Sequence, residues 1–461
     1  MTQANQEERE SPEALFAMPR KIQAWLDIEV ALARSQAELG MIPPAAAEEI
    51  ARKGDLGCID LDALLRDMAR TKAPIVSLVR FLAAACDGDA GDYVHWGATT
   101  QNVMQAGEVL LVREAHGRLL TQLAAGLDSL AGLADNGAAQ VMAGRTQRRH
   151  ALPITFGFKV ATWIDELLRH EERLRAAEPR VFTLVFGGAV GARHSFGDEG
   201  DALGRRLAGQ LGLGCFEVPS RSVNDHMVEY VLLLALLAAT CSKIAQELFV
   251  LMSEEYGEVY EELGDLVVGS STMPQKINPK ISVNVIAVAA QLRAQVSLAL
   301  DAVQVSHEGD AASSKMLYTS LETACPLALE MMASLVELLD KLRTVPDKMR
   351  RNLALTGGLI NSENVMMEMA RHGMGRQRAH DLVHAAALES LRDGRPLDQV
   401  LAEAPGVAGV IQAAQLGAAL QPEQYLGDCE KLARQLAGRA RTRSKRIRAR
   451  VKGQQAPALD R

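Results

Sequence analysis

Between positions 223 and 263 the chain reads VNDHMVEYVLLLALLAATCSKIAQELFVLMSEEYGEVYEEL, with no proline and a single glycine. As one helix this stretch would span roughly 60 Å at 1.5 Å per residue, whereas helices in globular proteins average about 11–12 residues. Its first half is apolar around most of its circumference, so a helix here must be buried on several sides. Residues 103–135, 152–178 and 281–305 repeat the pattern, with apolar positions at helical spacing and few internal breakers. A central bundle of long helices, shared between subunits so that every apolar face is covered, satisfies this requirement.

Composition agrees with that reading. Aromatic residues are only 4% of a chain that is 48% hydrophobic, which favours close helix packing over the Val-, Tyr- and Phe-rich pattern of strands. The expected class is all-α. A chain of 461 residues exceeds the size at which one core stops growing, and three regions suggest themselves: 1–91, 92–351 and 352–461. The first holds an amphipathic helix over Lys21–Leu39, stopped by Gly40 and followed by a helix start at Pro43-Pro44. The third reads as shorter helices over Ser362–His372, Gly375–Asp393 and Pro396–Ala404, then Tyr425–Lys452. Its basic ending, RARTRSKRIRARVKGQQ, reads as a solvated, fraying helix end.

Several function classes are excluded at this level. A formal net charge of -7 gives no electrostatic reason to expect nucleic acid. The six cysteines, Cys58, Cys86, Cys215, Cys241, Cys325 and Cys429, show no C-x-x-C or zinc spacing and read as buried thiols in a reducing compartment. The polar, acidic opening has no signal-peptide core. The run Val231–Thr240 alone is too short to span a bilayer. A cytoplasmic protein without membrane contact is expected.

The segment that carries chemistry is Gly269-Ser270-Ser271-Thr272-Met273-Pro274-Gln275-Lys276-Ile277-Asn278-Pro279. Two prolines and a Gly-Ser-Ser start keep it from being helical throughout. Small hydroxyls beside a lysine and an asparagine make a loop able to hold an anion. This pattern resembles the signature loop of the fumarase/aspartase superfamily. Two further segments agree in order. Tyr93-Val94-His95-Trp96-Gly97-Ala98-Thr99-Thr100-Gln101-Asn102 resembles the H-x-G-x-T-S-Q-D element of the adenylosuccinate lyase and 3-carboxy-cis,cis-muconate cycloisomerase branches. Gly144-Arg145-Thr146-Gln147 with Ala151-Leu152-Pro153-Ile154-Thr155-Phe156-Gly157 resembles their G-R-T…A-x-P-x-T-F-G element. The opening AWLDIEVALARSQAELG, the segment VFGGAVGA and the C-terminal GLINSENVMMEMARHGMGRQRAH also echo the cycloisomerase branch, so the likeness covers nearly the whole chain.

The resemblance implies a three-region fold assembled as a homotetramer, with each site built from three subunits. It implies a small dicarboxylate substrate and a reaction without metal or organic cofactor. A proton beside a carboxylate is removed to give a doubly charged aci-carboxylate, and the β-substituent then leaves; such charge needs preorganised electrostatic stabilisation. Ser270 matches the family's base, and Lys276 and Asn278 match positions that bind the carboxylate and stabilise its extra charge. Thr99, Thr100, Gln101, His95 and Arg145 match substrate-binding positions, with Ser271 beside them. Met273 belongs to the same loop, where it is expected to pack beneath.

Departures bear on the substrate. Where the amine-releasing branch has a histidine after G-R-T and the cycloisomerase branch commonly has tryptophan, Gln147 stands here, and an amide cannot act as an acid. His150, three residues on, is expected to face the same side of a helix and is the remaining acid candidate; Arg148 or Arg149 could equally supply positive charge. The family's H-E-R-D/S segment is His307-Glu308-Gly309-Asp310, without its arginine, and the loop has Gln275 and Ile277 where those branches usually have His and Arg. The leading expectation is a lyase acting on a succinate-type substrate to give fumarate or a close analogue, with a leaving group such as nitrite or an amine. The alternatives are a carboxymuconate cycloisomerase, an adenylosuccinate lyase-type C–N lyase, and a non-catalytic protein of the crystallin kind, against which Ser270, Lys276 and Asn278 argue.

Overall fold

A computed structural model describes residues 11–264, 267 and 269–454, all within one chain. Helix α1 (Met18–Glu38) opens the N-terminal region. Its apolar stripe of Ile22, Trp25, Leu26, Ile28, Val30 and Leu32 is buried, and the chain leaves it through Gly40 at φ 70°, a left-handed turn that glycine adopts without strain. Helices α2 (Pro44–Lys53), α3 (Leu61–Thr71) and α4 (Pro74–Ala85) pack around it.

The centre is a bundle of long helices: α5 (Thr100–Asn136), α6 (Phe156–Val181), α8 (Asp225–Leu251), α9 (Ile281–Asp301) and α10 (Ala311–Lys341). The short α7 (Gly200–Leu211) lies between α6 and α8. Three two-stranded pairings interrupt the helical pattern: β1 (Val141–Thr146) with β2 (Arg149–Thr155), β3 (Thr183–Leu184) with β4 (Gly214–Cys215), and β5 (Val259–Glu261) with β6 (Leu342–Thr344). The fold is mostly helical, not purely so.

The expected 223–263 helix stops at Leu251. A turn through Ser253 and Gly257, the latter at φ 59°, leads into β5, where Val259 and Glu261 point inward and Tyr260 outward. This period-2 alternation is what the helical reading overlooked. The expected 152–178 helix likewise begins later, because 149–155 is strand. Helix α10, absent from the expected set, is capped by the Asp310 carboxylate accepting from the Ala312 N–H at 2.8 Å and runs through Pro326 in its interior.

Cross-links fix the direction of each helix. Gln101 reaches Ser314 and Ser129 reaches Asp340, so α5 and α10 run the same way. Asn224, before α8, donates to the Ala302 carbonyl after α9 at 2.9 Å, so those two are antiparallel. One end of the bundle therefore gathers the starts of α5, α8 and α10; the other gathers the hairpin β1–β2, strand β5 and the start of α9. Along α5 these ends lie roughly 55 Å apart at 1.5 Å per residue.

Beyond α11 (Pro346–Ala354), helices α12 (Ser362–Arg371), α13 (Arg376–Asp393), α14 (Leu397–Glu403) and α15 (Ala413–Ala419) enclose a separate small core. Helix α16 (Cys429–Gln454) returns to the central bundle. Its Ala433, Ala437, Ala440 and Ile447 are fully buried. Arg441 pairs with Asp135 at 2.6 Å, Arg448 with Asp128 at 2.7 Å, and Arg443 with Glu171. The basic ending is thus docked on α5 and α6 by apolar burial and ion pairs, in place of the fraying end that its charge suggested.

Among the cysteines, Cys241, Cys325 and Cys429 are buried, but Cys58 is exposed and Cys86 and Cys215 are half-buried; all six are free. Helices α8 and α9 are each long and apolar enough to cross a membrane by length and composition alone, although the Val231–Thr240 run by itself is too short. Most of α8 is buried against its neighbours, as a bundle core requires. Leu232, Leu236, Phe249 and Val250 of α8 and Val283 and Leu300 of α9 stay exposed in the single chain.

Two buried histidines give the bundle an acid limit. His170 in α6 meets the Thr240 hydroxyl at 2.8 Å and His226 in α8 packs edge-on against Phe216; burial pushes both down to about 4. Depressed below the usual 6.5, they contribute stability that is present above about pH 6.5 and lost as pH falls toward 4. Urea midpoints should therefore drop between pH 7 and pH 4.5, and drop less in His226→Phe. An equal drop in both proteins would remove His226 from this account.

Candidate functional site

At the α5 start, His95 sits at φ 63° with Nδ1 2.6 Å from Oε1 of Glu29, whose side chain is fully buried. The carboxylate accepts, so Nδ1 is the donor of this pair. Thr99 is extended and Thr100 opens the helix. The Gln101 amide is held from both sides: its Nε2 donates to Ser314 Oγ at 2.9 Å and its Oε1 accepts from Arg221 at 2.8 Å. Asn102 is buried and ties in the 185–192 segment, donating to the Val185 carbonyl at 3.2 Å and accepting from the Gly188 N–H at 3.1 Å. The 307–310 segment joins this end through Asp310, whose carbonyl accepts from the Ser314 hydroxyl at 3.0 Å.

The Arg145, Gln147 and His150 group lies at the opposite end, on the β1–β2 hairpin. It is not helical, which corrects the expected placement of His150 on a helix face beside Gln147. Thr146 and Arg149 close a two-residue turn whose central Gln147 and Arg148 have φ 50° and 63°. Such a turn matches strand twist but normally takes Asn-Gly, so the hairpin carried no familiar sequence signal. Arg145 and His150 are directly paired across the strands. Arg145 makes a two-pronged ion pair with Glu258 at 2.7 and 3.0 Å and lies over the Tyr256 ring. Asn352 donates to the same carboxylate at 2.8 Å. In the single chain Arg145 is thus committed to Glu258, a fully buried partner that sequence reasoning missed. His150 Nδ1 is buried without a partner, and burial, reinforced by the Arg145 charge, lowers its pKa below the ordinary histidine range.

The 269–279 loop shares this end. Its far side is anchored by Glu261, whose carboxylate accepts from the backbone N–H groups of Lys280, Ile281 and Ser282 at 2.7, 3.0 and 2.9 Å and from the Ser282 hydroxyl at 2.7 Å. A carboxylate here satisfies the orphan donors and dipole of the α9 N-terminus. The loop then closes on itself. Asn278 Nδ2 donates to the Gly269 carbonyl at 2.8 Å, and a Cβ at Gly269 would sit 2.4 Å from the Lys276 carbonyl oxygen, so only glycine fits. Inside this closure Ser270 Oγ accepts from the N–H groups of Met273 at 3.1 Å and Thr272 at 3.3 Å. Ser271, Met273 and Lys276 are exposed; Met273 does not pack beneath the loop, because the two pinned ends hold the middle outward.

Positive φ at two adjacent non-glycine residues is strain retained where the surroundings demand it. Replacing Gln147-Arg148 by Asn-Gly should raise stability by about 1 kcal/mol, by relieving that strain, while lowering kcat/KM at least tenfold. A melting curve with steady-state kinetics checks both; unchanged activity would make the turn a purely structural feature.

A family profile described as Lyase matches residues 14–294, and one described as Adenylosuccinate lyase C-terminus matches residues 358–436. An adenylosuccinate lyase of Methanothermobacter thermautotrophicus is 37% identical over 91% of this chain and 94% of its own. An N-acetyl-S-(2-succino)cysteine lyase of Enterococcus italicus is 36% identical over 90% and 91%. The crystal structure of a fumarate lyase from Mesorhizobium sp. BNC1 superposes with a TM-score of 0.86 at 33% identity, covering 93% of this chain and 97% of that one. A chain that shares this fold, these matched regions and this identity along nine-tenths of its length belongs to the fumarase/aspartase superfamily of lyases, with a C-terminal region of the adenylosuccinate lyase type.

Proposed function

We infer that this lyase carries out β-elimination on a succinate-type substrate, giving fumarate or a fumarate-like product, with Ser270 as the base. The observation that carries the assignment is the pair of backbone N–H groups directed at Ser270 Oγ. A serine hydroxyl is a weak base until its oxyanion is stabilised, and two oriented dipoles in a closed loop do this before substrate arrives. Lys276 and Asn278 complete the carboxylate site, with Ser271 and Met273 at its rim. Lys276, exposed and on the same short loop, brings the cation that meets the extra charge of the aci-carboxylate. Thr99, Thr100, Gln101 and His95 would hold the remainder of the substrate.

In one chain those groups are separated from the loop by the length of α5, so the reading requires other copies. The exposed apolar residues on α8 and α9 supply surfaces for them, and a homotetramer with sites shared among three subunits accounts for both facts. A cytoplasmic setting belongs to the same reading, supported by six unpaired cysteines.

The leaving group departs as an anion that needs no protonation by a histidine. Gln147 cannot supply a proton, and His150, with its pKa held down by burial and Arg145, is uncharged near neutral pH. A thiolate such as N-acetyl-S-(2-succino)cysteine would release, or nitrite, suits this arrangement better than an amine. Arg148 and Arg149, exposed on the hairpin, can attract such a group.

Offering fumarate together with N-acetylcysteine, nitrite, ammonia or aspartate should give an adduct with the thiol or nitrite, detected by mass spectrometry; adducts with ammonia or aspartate alone would reject the anionic leaving group. Ser270→Ala should lower kcat by about three orders of magnitude, equivalent to ~4 kcal/mol, with KM changed only a few-fold. Retention of a tenth of kcat would move the base elsewhere, with His150 or His307 next in line. The pH profile of kcat for the native substrate should rise on a single limb as the base forms. An additional loss of rate above pH 6 to 7 would reveal a histidine acid.

A further inference from the structure

Gly309 has an ordinary backbone, without the positive φ that calls for glycine elsewhere in the chain. What stands beside it is another residue's side chain, close enough that an added Cβ would crowd it. A Cβ there would meet the guanidinium of Arg221, with Cζ and Nη2 at 3.2 Å and Nε at 3.4 Å. Arg221 comes from the loop before α8, 88 positions earlier in sequence, and its guanidinium lies beside Gly309. Nη1 donates to the Ala189 carbonyl at 2.7 Å and Nη2 to Gln101 Oε1 at 2.8 Å. Two of the five N–H donors of an arginine are used in this way, and Nε is buried with no partner. Among the described residues no carboxylate pairs with Arg221. Both of its hydrogen-bond partners are neutral, so among the described residues the guanidinium is fixed in place without a carboxylate in direct contact.

Its surroundings are arranged for an anion. Gln101 lies in the first turn of α5 and Ser314 in the first turn of α10, and the two side chains are joined by a hydrogen bond, so the positive ends of two long helices converge beside the guanidinium. The Ser314 hydroxyl is fixed in turn by the Asp310 carbonyl. A planar guanidinium held by neutral acceptors keeps its charge and its remaining donors for a carboxylate, which it meets better than a lysine would.

We propose that Arg221, made possible by the absent side chain at Gly309, is a substrate-binding residue: it pairs with a second carboxylate of the substrate, distinct from the one bound by the Ser270 loop. Within the succinate-type substrate already inferred, Arg221 sets the requirement for the second anionic end. This rests on the assignment of the Thr99–Gln101 segment to the substrate site made above.

Binding to the intact protein separates the two ideas. Fumarate is the dianionic probe and acrylate the monoanionic one, each titrated by calorimetry, with melting curves to verify folding. Arg221→Gln should weaken fumarate at least tenfold and acrylate less than twofold, while Arg221→Lys should fall between Gln and the unaltered protein for fumarate. Fumarate affinity within twofold of the unaltered protein in Arg221→Gln, or equal losses for both probes, overturns the role of Arg221. Should Arg221→Gln fail to fold, Gly309→Ala is the second variant. Its added methyl crowds the guanidinium at 3.2 Å, shifting it from its place, and should weaken fumarate about three- to tenfold; no change would again overturn the proposal. If the unaltered protein binds neither probe, the elimination reading itself falls, and this proposal with it.

Discussion

A helix of 37 residues cannot be bent back on itself, and this constraint governs everything the protein can do. Helix α5 starts at Thr100 and ends at Asn136, and its buried contacts with α6, α8, α10 and α16 keep it straight inside the central core. The Thr99–Gln101 end and the hairpin-and-loop end are consequently held roughly 55 Å apart at 1.5 Å per residue. Each end is well built by itself. One has Glu29 orienting His95 and Arg221 orienting Gln101; the other has Glu258 holding Arg145 and Glu261 holding the start of α9. On the proposed assignment, neither end alone contains both the base and the groups that hold the rest of the substrate. On the proposed reading the long bundle serves as a ruler that presents each half-site to another copy of the chain, and the residues left exposed on α8 and α9 offer apolar surface for that contact.

Much of the bundle could be read from the sequence because it follows from periodicity. Long runs of Leu, Ala and Val at helical spacing have no other soluble outcome, and α5, α6, α8 and α9 lie where those runs are. The failures have physical causes as well. The β1–β2 hairpin turns on Gln147-Arg148, residues that adopt positive φ only under tertiary pressure, so nothing local announced it. The end of α8 was obscured because Glu258 and Glu261 look like exposed helix positions; both are buried anions, one paired with Arg145 and the other capping α9. The basic ending looked solvated since its charges were visible and their partners Asp128, Asp135 and Glu171 were some 270 to 320 positions away.

The site divides along the same line. The 269–279 loop is legible because its function is local: glycine, hydroxyls, lysine and asparagine must stand within eleven residues of one another to close the turn and aim N–H groups at Ser270. Arg221 is not legible, since its meaning depends on Gly309, Gln101 and Ala189, which only the folded chain brings together. Read alone, Gly309 is a lost cation; in the fold another arginine, Arg221, lies against it. His150 shows a third case. Its residue type suggested an acid, while burial and the facing Arg145 hold it neutral.

The central claim is that one active site needs segments from different copies of the chain. The most direct test is complementation between two inactive variants, Ser270→Ala and Thr100→Ala, denatured together and refolded so that subunits mix. Mixed oligomers, verified by mass spectrometry, should recover a measurable part of the unaltered activity, because some sites then draw an intact Ser270 loop from one chain and an intact Thr100 segment from another. Mixed oligomers no more active than either parent would contradict the account and require each site to be complete within a single chain.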